Sequence, residues 1–266
     1  MAAGELAEDL AAALDPCVLA ERAGFVPDDW QASVLRSAAP RLLLNCSRQS
    51  GKSTTAALLA VHTALYDAGA LVLLVSASLR QAAELYAKCM AIYRALDRPL
   101  PTTVETALRL DLANGSRIVS LPASEGTVRG FSAARLLIED EASRVDDALY
   151  YATRPMLAAS GGRLILMSTP FGKRGHFWRG WSNGGEGWER VEIPASACPR
   201  IPPTFLEEER RALGPFWYRQ EYECTFSETQ EQLVADEDLQ ASVTGTVRPL
   251  FGEGERRPLW SSYSSA

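Results

Sequence analysis

The chain has 266 residues, with 27 Lys and Arg against 33 Asp and Glu, a formal net charge of −6 and 47% hydrophobic residues. That length holds one large domain, or one domain with an appendage, and enough apolar residues to bury a sizeable core. Wholesale disorder is excluded, no run approaches the roughly 18 apolar residues of a membrane span, and a pI near 5.2 argues against a generally basic nucleic-acid binder though not against a local basic face.

The first ten residues, MAAGELAEDL, carry two Glu and one Asp and no basic segment, which argues against a secretory signal. Five cysteines (Cys17, Cys46, Cys89, Cys198, Cys224) are scattered without a CxxC pair, beside only two histidines, His62 and His176. That set speaks against a zinc site and for a reducing compartment. Residues 1–30 read as one or two acidic helices ending in the turn 24–29. A new helix, capped by an Asp, starts near Asp29-Trp30. Arg41–Asn45 is a short apolar run that fits a buried strand. It leads into Cys46-Ser47-Arg48-Gln49-Ser50-Gly51-Lys52-Ser53 and then into a helical stretch from Thr54 to Val61.

A second strand over 70–75 precedes a long helical pattern from about Leu79 to Leu96, which Pro99 and Pro101 end. Residues 108–121 read as a β-hairpin turning at Asn114-Gly115. Strands over 135–138 and 163–167 run into Glu139-Asp140-Glu141-Ala142 and Ser168-Thr169-Pro170. Apolar strands alternating with helices imply an α/β fold with a mostly parallel sheet covered on both faces. From about 181 the texture changes to loops, a charged helix over about 203–213 and an aromatic strip over 216–222. Beyond Phe226 the chain turns polar and ends in a loose tail.

Two motifs carry chemistry. Gly51-Lys52-Ser53, between a strand and a helix, is the core of a phosphate loop. Backbone amides and the helix N-terminus cradle phosphate, Lys52 supplies a compact charge, and Ser53 offers a hydroxyl to Mg2+. Only three of the 27 basic residues are lysine, namely Lys52, Lys88 and Lys173, so a lysine at this position reads as functional. The common pattern opens with glycine where this chain has Cys46. The second motif is Leu136-Leu137-Ile138-Glu139-Asp140-Glu141, an apolar strand that delivers carboxylates to the sheet's C-terminal edge. Asp140 then holds Mg2+ through its water shell, and Glu141 orients and polarises the attacking water. Glu139 points to the opposite side of the strand and reads as a bystander.

These stretches, taken together, resemble the ATPase domain of the large terminase subunit, the DNA-packaging motor of tailed bacteriophages. Cys46–Ser53 is similar to that family's phosphate loop, with its Arg-Gln insert. Thr127-Val128-Arg129-Gly130 precedes the acidic strand, Leu166–Phe177 resembles the family's coupling motif, and Gln220–Phe226 its end-of-ATPase signature. The resemblance covers about residues 28–235. It implies a P-loop NTPase fold of the ASCE, RecA-like type with a small lid-like C-terminal subdomain. The parts are a helical lead-in over 1–28, an ATPase core over 29–180, a lid or linker over 181–235 and a polar tail over 236–266.

The resemblance also assigns roles. It implies ATP and Mg2+ as ligands, with Gln31, Ser47, Arg48, Gln49, Ser50, Gly51, Lys52, Ser53 and Thr54 around the nucleotide. Gln31 would read the adenine edge; otherwise it is part of an aromatic helix start packed on the core. Arg48 would contact or sense the γ-phosphate, and Arg129 would be an arginine finger inserted from a neighbouring subunit. The alternative for Arg129 is a surface ion pair. Ser168 and Thr169 would sense the γ-phosphate and pass its loss onward, unless they are a plain strand-end turn. Double-stranded DNA, held transiently and without sequence preference, a homo-oligomeric ring on a portal, a small terminase subunit and the cytoplasm of a bacterial host follow from the same likeness, and a membrane does not.

Complete members carry an RNase-H-like nuclease after this region, and the forty or so residues after Phe226 are too few for one. The expectation is an ATPase-only fragment, or a nuclease on a separate chain; Asp236, Glu237 and Asp238 read as a helix-start cluster. Between Arg154 and Gln220 ten Lys and Arg face six Glu, a net of +4, against −10 for the remainder. Such an uneven charge suits transient phosphate contacts, and Lys173, Arg174 and Arg179 are the first candidates. Two other readings remain: a helicase-like remodeling ATPase, and a catalytically idle prophage remnant serving as an assembly module.

Overall fold

In a computed structural model, which describes residues 3–123 and 130–227 together with Ser242, the apolar runs become strands of one sheet. These are β1 (Arg41–Cys46), β2 (Leu71–Ser76), β3 (Thr102–Glu105), β4 (Arg109–Leu112), β5 (Arg117–Pro122), β6 (Leu136–Asp140), β7 (Arg163–Ser168) and β8 (Glu189–Ile193). Their order is β3-β4-β5-β2-β6-β7-β1-β8. From β5 to β8 every neighbouring pair is parallel, while β3–β4 and β4–β5 are antiparallel. The chain divides into two units, Met1–Ser227 and Glu228–Ala266, and these strands belong to the first.

The helices are α1 (Ala3–Leu14), α2 (Pro16–Arg22), α3 (Asp29–Arg36), α4 (Lys52–Tyr66), α5 (Leu79–Ala95), α6 (Asp147–Thr153), α7 (Gly175–Asn183) and α8 (Pro203–Tyr222). Among the described residues no helix is long and apolar enough to cross a membrane. Because successive strand residues point to opposite faces, the sheet sorts its own apolar residues into two cores. Leu42, Leu44, Val72, Leu74, Ile138, Ile165 and Met167 face one core, with α4 and α5 packed against them. Leu43, Leu73, Val75, Leu137, Leu164 and Leu166 face the other, closed by Leu149 of α6 and Phe177 of α7. Leu58 and Val61 of α4 are withdrawn from water, which contributes about 1.5–3 kcal/mol for each such side chain. Strands apolar on both faces could not survive at a water-exposed sheet, and this explains the unbroken runs in the sequence.

Three elements depart from the sequence reading. β3 follows Pro101 directly and pairs with β4, extending the expected hairpin to three strands. β8 occupies the stretch read as loops and pairs in parallel with β1. The charged helix and the aromatic strip form one run, α8, with a break at Gly214 (φ 74°, ψ 169°) before Pro215. Proline lacks the amide that a continuous helix needs there, and glycine supplies the positive φ of the bend.

Candidate nucleotide site

β1 ends at Cys46 and α4 begins at Lys52; the phosphate-loop residues turn between them, with Gln49 at φ 57° and Gly51 at φ 100°. Gly51 is required twice over. Its φ suits glycine, and a Cβ there would meet Gln31 Nε2 at 2.7 Å and Arg200 Nη2 at 2.9 Å. The loop is fixed from below: the Ser47 amide donates to the Ile193 carbonyl (2.9 Å) and the Arg48 amide to the Glu221 carbonyl (3.0 Å). The first-turn amides of α4, those of Lys52 and Ser53, have no helical carbonyl to receive them. They add to the positive end of the helix dipole and make this terminus suited to an anion.

The sheet order explains why the two motifs meet. β7 lies between β1 and β6, and all three are parallel, so their C-terminal ends emerge side by side. Lys52 Nζ sits 3.0 Å from Glu141 Oε1, both side chains largely shielded. Asp140 is buried, and its carboxyl accepts the Glu141 amide (3.0 Å). Burial pushes the Asp140 carboxyl up to about 6; Lys52 pulls against that, and Glu141 adds to it. On Lys52 burial acts to lower the pKa, but the charges of Glu141 and Asp140 outweigh it and hold the ammonium above its ordinary value. Glu141 adopts a left-handed conformation (φ 54°, ψ 41°). For a residue with a Cβ this costs on the order of 1–3 kcal/mol and persists only where the surroundings enforce it.

The expected coupling pair joins this cluster. Ser168 Oγ donates to Glu141 Oε2 at 3.4 Å and lies 2.6 Å from Ser143 Oγ, which also reaches the Thr169 carbonyl (2.8 Å). Thr169 therefore takes part through its backbone. Arg48 is engaged by an ion pair: its Nε lies 2.7 Å from Glu221 Oε2 of α8. Gln31 is fully buried; its Oε1 accepts the Asp28 amide (2.8 Å), while Nε2 has no partner among the described residues. The Ser47 and Ser50 hydroxyls are likewise buried and unpaired there. Thr54, at the third position of α4, is half-buried and its amide donates to the Gly51 carbonyl. Arg129 lies outside the described residues, as do Thr127, Val128 and residues 236–238.

The DNA candidates are exposed but do not act alike. Arg174 stacks over Phe171 at 5.1 Å, whereas Arg179 is bound to Asp147 (2.6 Å) and the Tyr151 hydroxyl (3.3 Å). Two residues at the site escape the sequence reading. Arg200 donates to the Ser50 carbonyl (2.8 Å) and pairs with Asp28 (2.8 Å), so it borders the loop next to Gln31. Ser143 is the other. Neither sits in a recognisable spacing, since Arg200 is 150 residues from Ser50.

Nucleotide and Mg2+ fit these residues. Unpaired buried donors (Gln31 Nε2, Ser50 Oγ) border a cradle that a single Cβ at position 51 would fill, and the donor set for a cation is a hydroxyl and a carboxylate, as Mg2+ prefers.

Comparison with known proteins bears on the family and the fold. A terminase large subunit of Thermus phage G20c is 27% identical over 204 residues, 70% of this chain and 42% of that protein, so the chain spans less than half the relative's length. The solved large terminase ATPase domain of Thermus phage P74-26 superposes with a TM-score of 0.69 at 21% identity, covering 78% of this chain and 97% of that one. The large terminase of another thermophilic bacteriophage, solved in complex with ADP, gives 0.62 at 10% identity over 75% of this chain and 54% of that one. Residues 43–241 match the family described as terminase large subunit, T4likevirus-type, N-terminal, and the chain, matched over most of its length with phosphate loop and acidic strand inside the match, belongs to that family.

Proposed function

We propose that this chain is the ATP-hydrolysing motor portion of a terminase, which drives double-stranded viral DNA into a procapsid. The observation that carries the reading is the contact between Lys52 and Glu141: one structure brings the phosphate-loop cation and a strand-end carboxylate within 3.0 Å. In the reaction the triphosphate lies along the amides of 49–53, with Gln31 Nε2 toward the base and Lys52 transferred from Glu141 to the β- and γ-phosphates. Released from that ion pair, Glu141 accepts a proton from the water that attacks the γ-phosphate, a contribution of about 10²–10⁴ in rate. Ser53 and Asp140 would hold Mg2+, which when bound neutralises charge on the phosphates. Arg48 leaves Glu221 for the γ-phosphate, and Arg129 of a neighbouring subunit completes the site. Ser168, touching Glu141, reports the γ-phosphate's loss to the segment that follows.

In this reading residues 1–28 are a lead-in, 29–180 the core, 181–235 the lid or linker and 236–266 a tail. Subunits form a ring on a portal, assisted by a small terminase subunit and a nuclease, in the host cytoplasm. Lys173, Arg174 and Arg179 touch DNA phosphates briefly. The test is ATP turnover with Mg2+ and DNA at high protein concentration. Wild type hydrolyses ATP, Glu141→Ala loses at least about a hundredfold, and mixing Arg129→Ala with Glu141→Ala restores part of it. Absence of Glu141-dependent turnover sinks the motor reading, and mixtures that recover nothing sink the intersubunit finger.

A further inference from the structure

β6 ends at Asp140, and the segment that carries Glu141 passes through a single 3-10 turn, Ala142–Arg144, before Asp147, the first residue of α6. One side chain touches both ends. His176, on α7, places Nε2 2.6 Å from Glu139 Oε1 and Nδ1 3.2 Å from Asp147 Oδ1. The imidazole is 1% exposed and the Glu139 side chain 0%. Which partner donates in each contact depends on the imidazole tautomer. Tyr150 stacks on the imidazole with centroids 4.4 Å apart and planes 9° from parallel, which sets the ring's plane. Arg179, one turn along α7, takes the other oxygen of Asp147 at 2.6 Å. The second oxygen of Glu139, Oε2, is buried and unbonded among the described residues, so the carboxylate's side-chain partner there is His176.

We propose that His176 staples the base of the catalytic loop, joining Glu139 to Asp147, and that this staple holds Glu141 in its strained working conformation. His176 is a positioning residue: it acts through Glu139 and Asp147 and touches no substrate. The inference rests on Glu141 as the base of the hydrolysis proposed above. Three observations converge on it. The bridged residues flank the loop on both sides. A left-handed glutamate needs enforcement from outside its own backbone, and the described contacts at the loop's base supply it. Finally, α7 directly follows the segment 169–174, so the staple also ties the stretch after Ser168 to the loop that Ser168 touches. Motion of that segment is then felt at Glu141 from two directions, through the Ser168 hydroxyl and through His176.

The experiment uses the full chain with Mg2+, ATP and DNA, measuring kcat and KM, affinity for a fluorescent ADP analogue and thermal unfolding. In His176→Gln the amide reaches one carboxylate but not both. Asp147→Ala, at a partly exposed position, removes only the far anchor and decides the matter should the buried substitution fail to fold. Both lower kcat about tenfold or more, as expected when a catalytic group is misplaced by a fraction of an ångström, while KM and ADP affinity stay within about threefold. Glu139→Gln, which keeps a hydrogen-bonding group facing the ring in either tautomer, recovers most of the kcat that Glu139→Leu loses. Undiminished kcat in folded His176→Gln and Asp147→Ala overturns the staple alone. So does equal loss in Glu139→Gln and Glu139→Leu, or a loss that merely tracks the folded fraction. A wild-type chain without Glu141-dependent turnover overturns the hydrolysis reading, and the staple with it.

Discussion

Replacing Asp140 with Asn should make the protein more stable while disabling it. Burial raises this carboxyl from 3.8 to about 6, so the folded state keeps a proton that the unfolded chain has already lost. Between those values stability falls as pH rises, and above about pH 6 the full penalty applies. At about 1.4 kcal/mol per pH unit it amounts to about 3 kcal/mol. The Asn side chain keeps the acceptor for the Glu141 amide, but its amide hydrogens are buried without an assured partner, which returns about 1–2 kcal/mol. The net gain is about 1–2 kcal/mol at neutral pH, a rise of about 2–8 °C in Tm for a unit of this size. The assay is thermal unfolding of both proteins with chelator and without nucleotide, at about pH 7.5 and again at about pH 4, close to the unfolded value, where most of the penalty is gone and the advantage vanishes. A variant less stable than wild type at pH 7.5, or one whose advantage is undiminished at pH 4, refutes the assignment of a buried, charge-destabilised Asp140.

Gly51→Ala confronts φ +100° and the amide of Gln31. It should cost about 1–3 kcal/mol in stability, seen as a lower Tm, and weaken binding of a fluorescent ATP analogue about tenfold; unchanged affinity would show that the loop, Gln31 and Arg200 do not share one binding surface. All five cysteines are buried, and burial pushes the Cys46 and Cys89 thiols up to about 12 and raises those of Cys17, Cys198 and Cys224 as well. Thiol titration with a disulfide reagent at about pH 8 should therefore find fewer than one reactive group per native chain and all five after unfolding; rapid labelling of Cys46 in the native protein would contradict the packing beneath the phosphate loop.

What can be read in one dimension is whatever depends on one dimension. The central strands announce themselves because both their faces are covered, and the phosphate loop because its chemistry is contiguous. β8 escapes the sequence because Glu189-Arg190-Val191-Glu192-Ile193 is an edge strand with one partly wetted face, and its pairing with β1 is a long-range event. α8 reads short because Gly214-Pro215 looks like a terminus, and only the packing of Tyr218 and Tyr222 in a small cluster with Ala195 shows that the helix resumes. Strand alternation points Glu139 away from the nucleotide, and it does lie that way; that it meets His176, 37 residues onward, is not legible from alternation.

If the chain hydrolyses ATP as proposed, the same topology decides which residues can be informed of it. In a parallel sheet, strand ends that lie side by side in space are far apart in sequence, so a sensor of the nucleotide must sit at the end of a strand adjacent to both the phosphate loop and the acidic strand. Among the described strands β7 alone satisfies that, because it lies between β1 and β6. Ser168 is its last residue and reaches Glu141. The chain after β7 then runs into α7, whose His176 returns to the acidic strand from the other face. On the proposed reading, position in the sheet, more than the identity of any one side chain, marks the segment between Ser168 and His176 as the part of the molecule that a change at Glu141 moves.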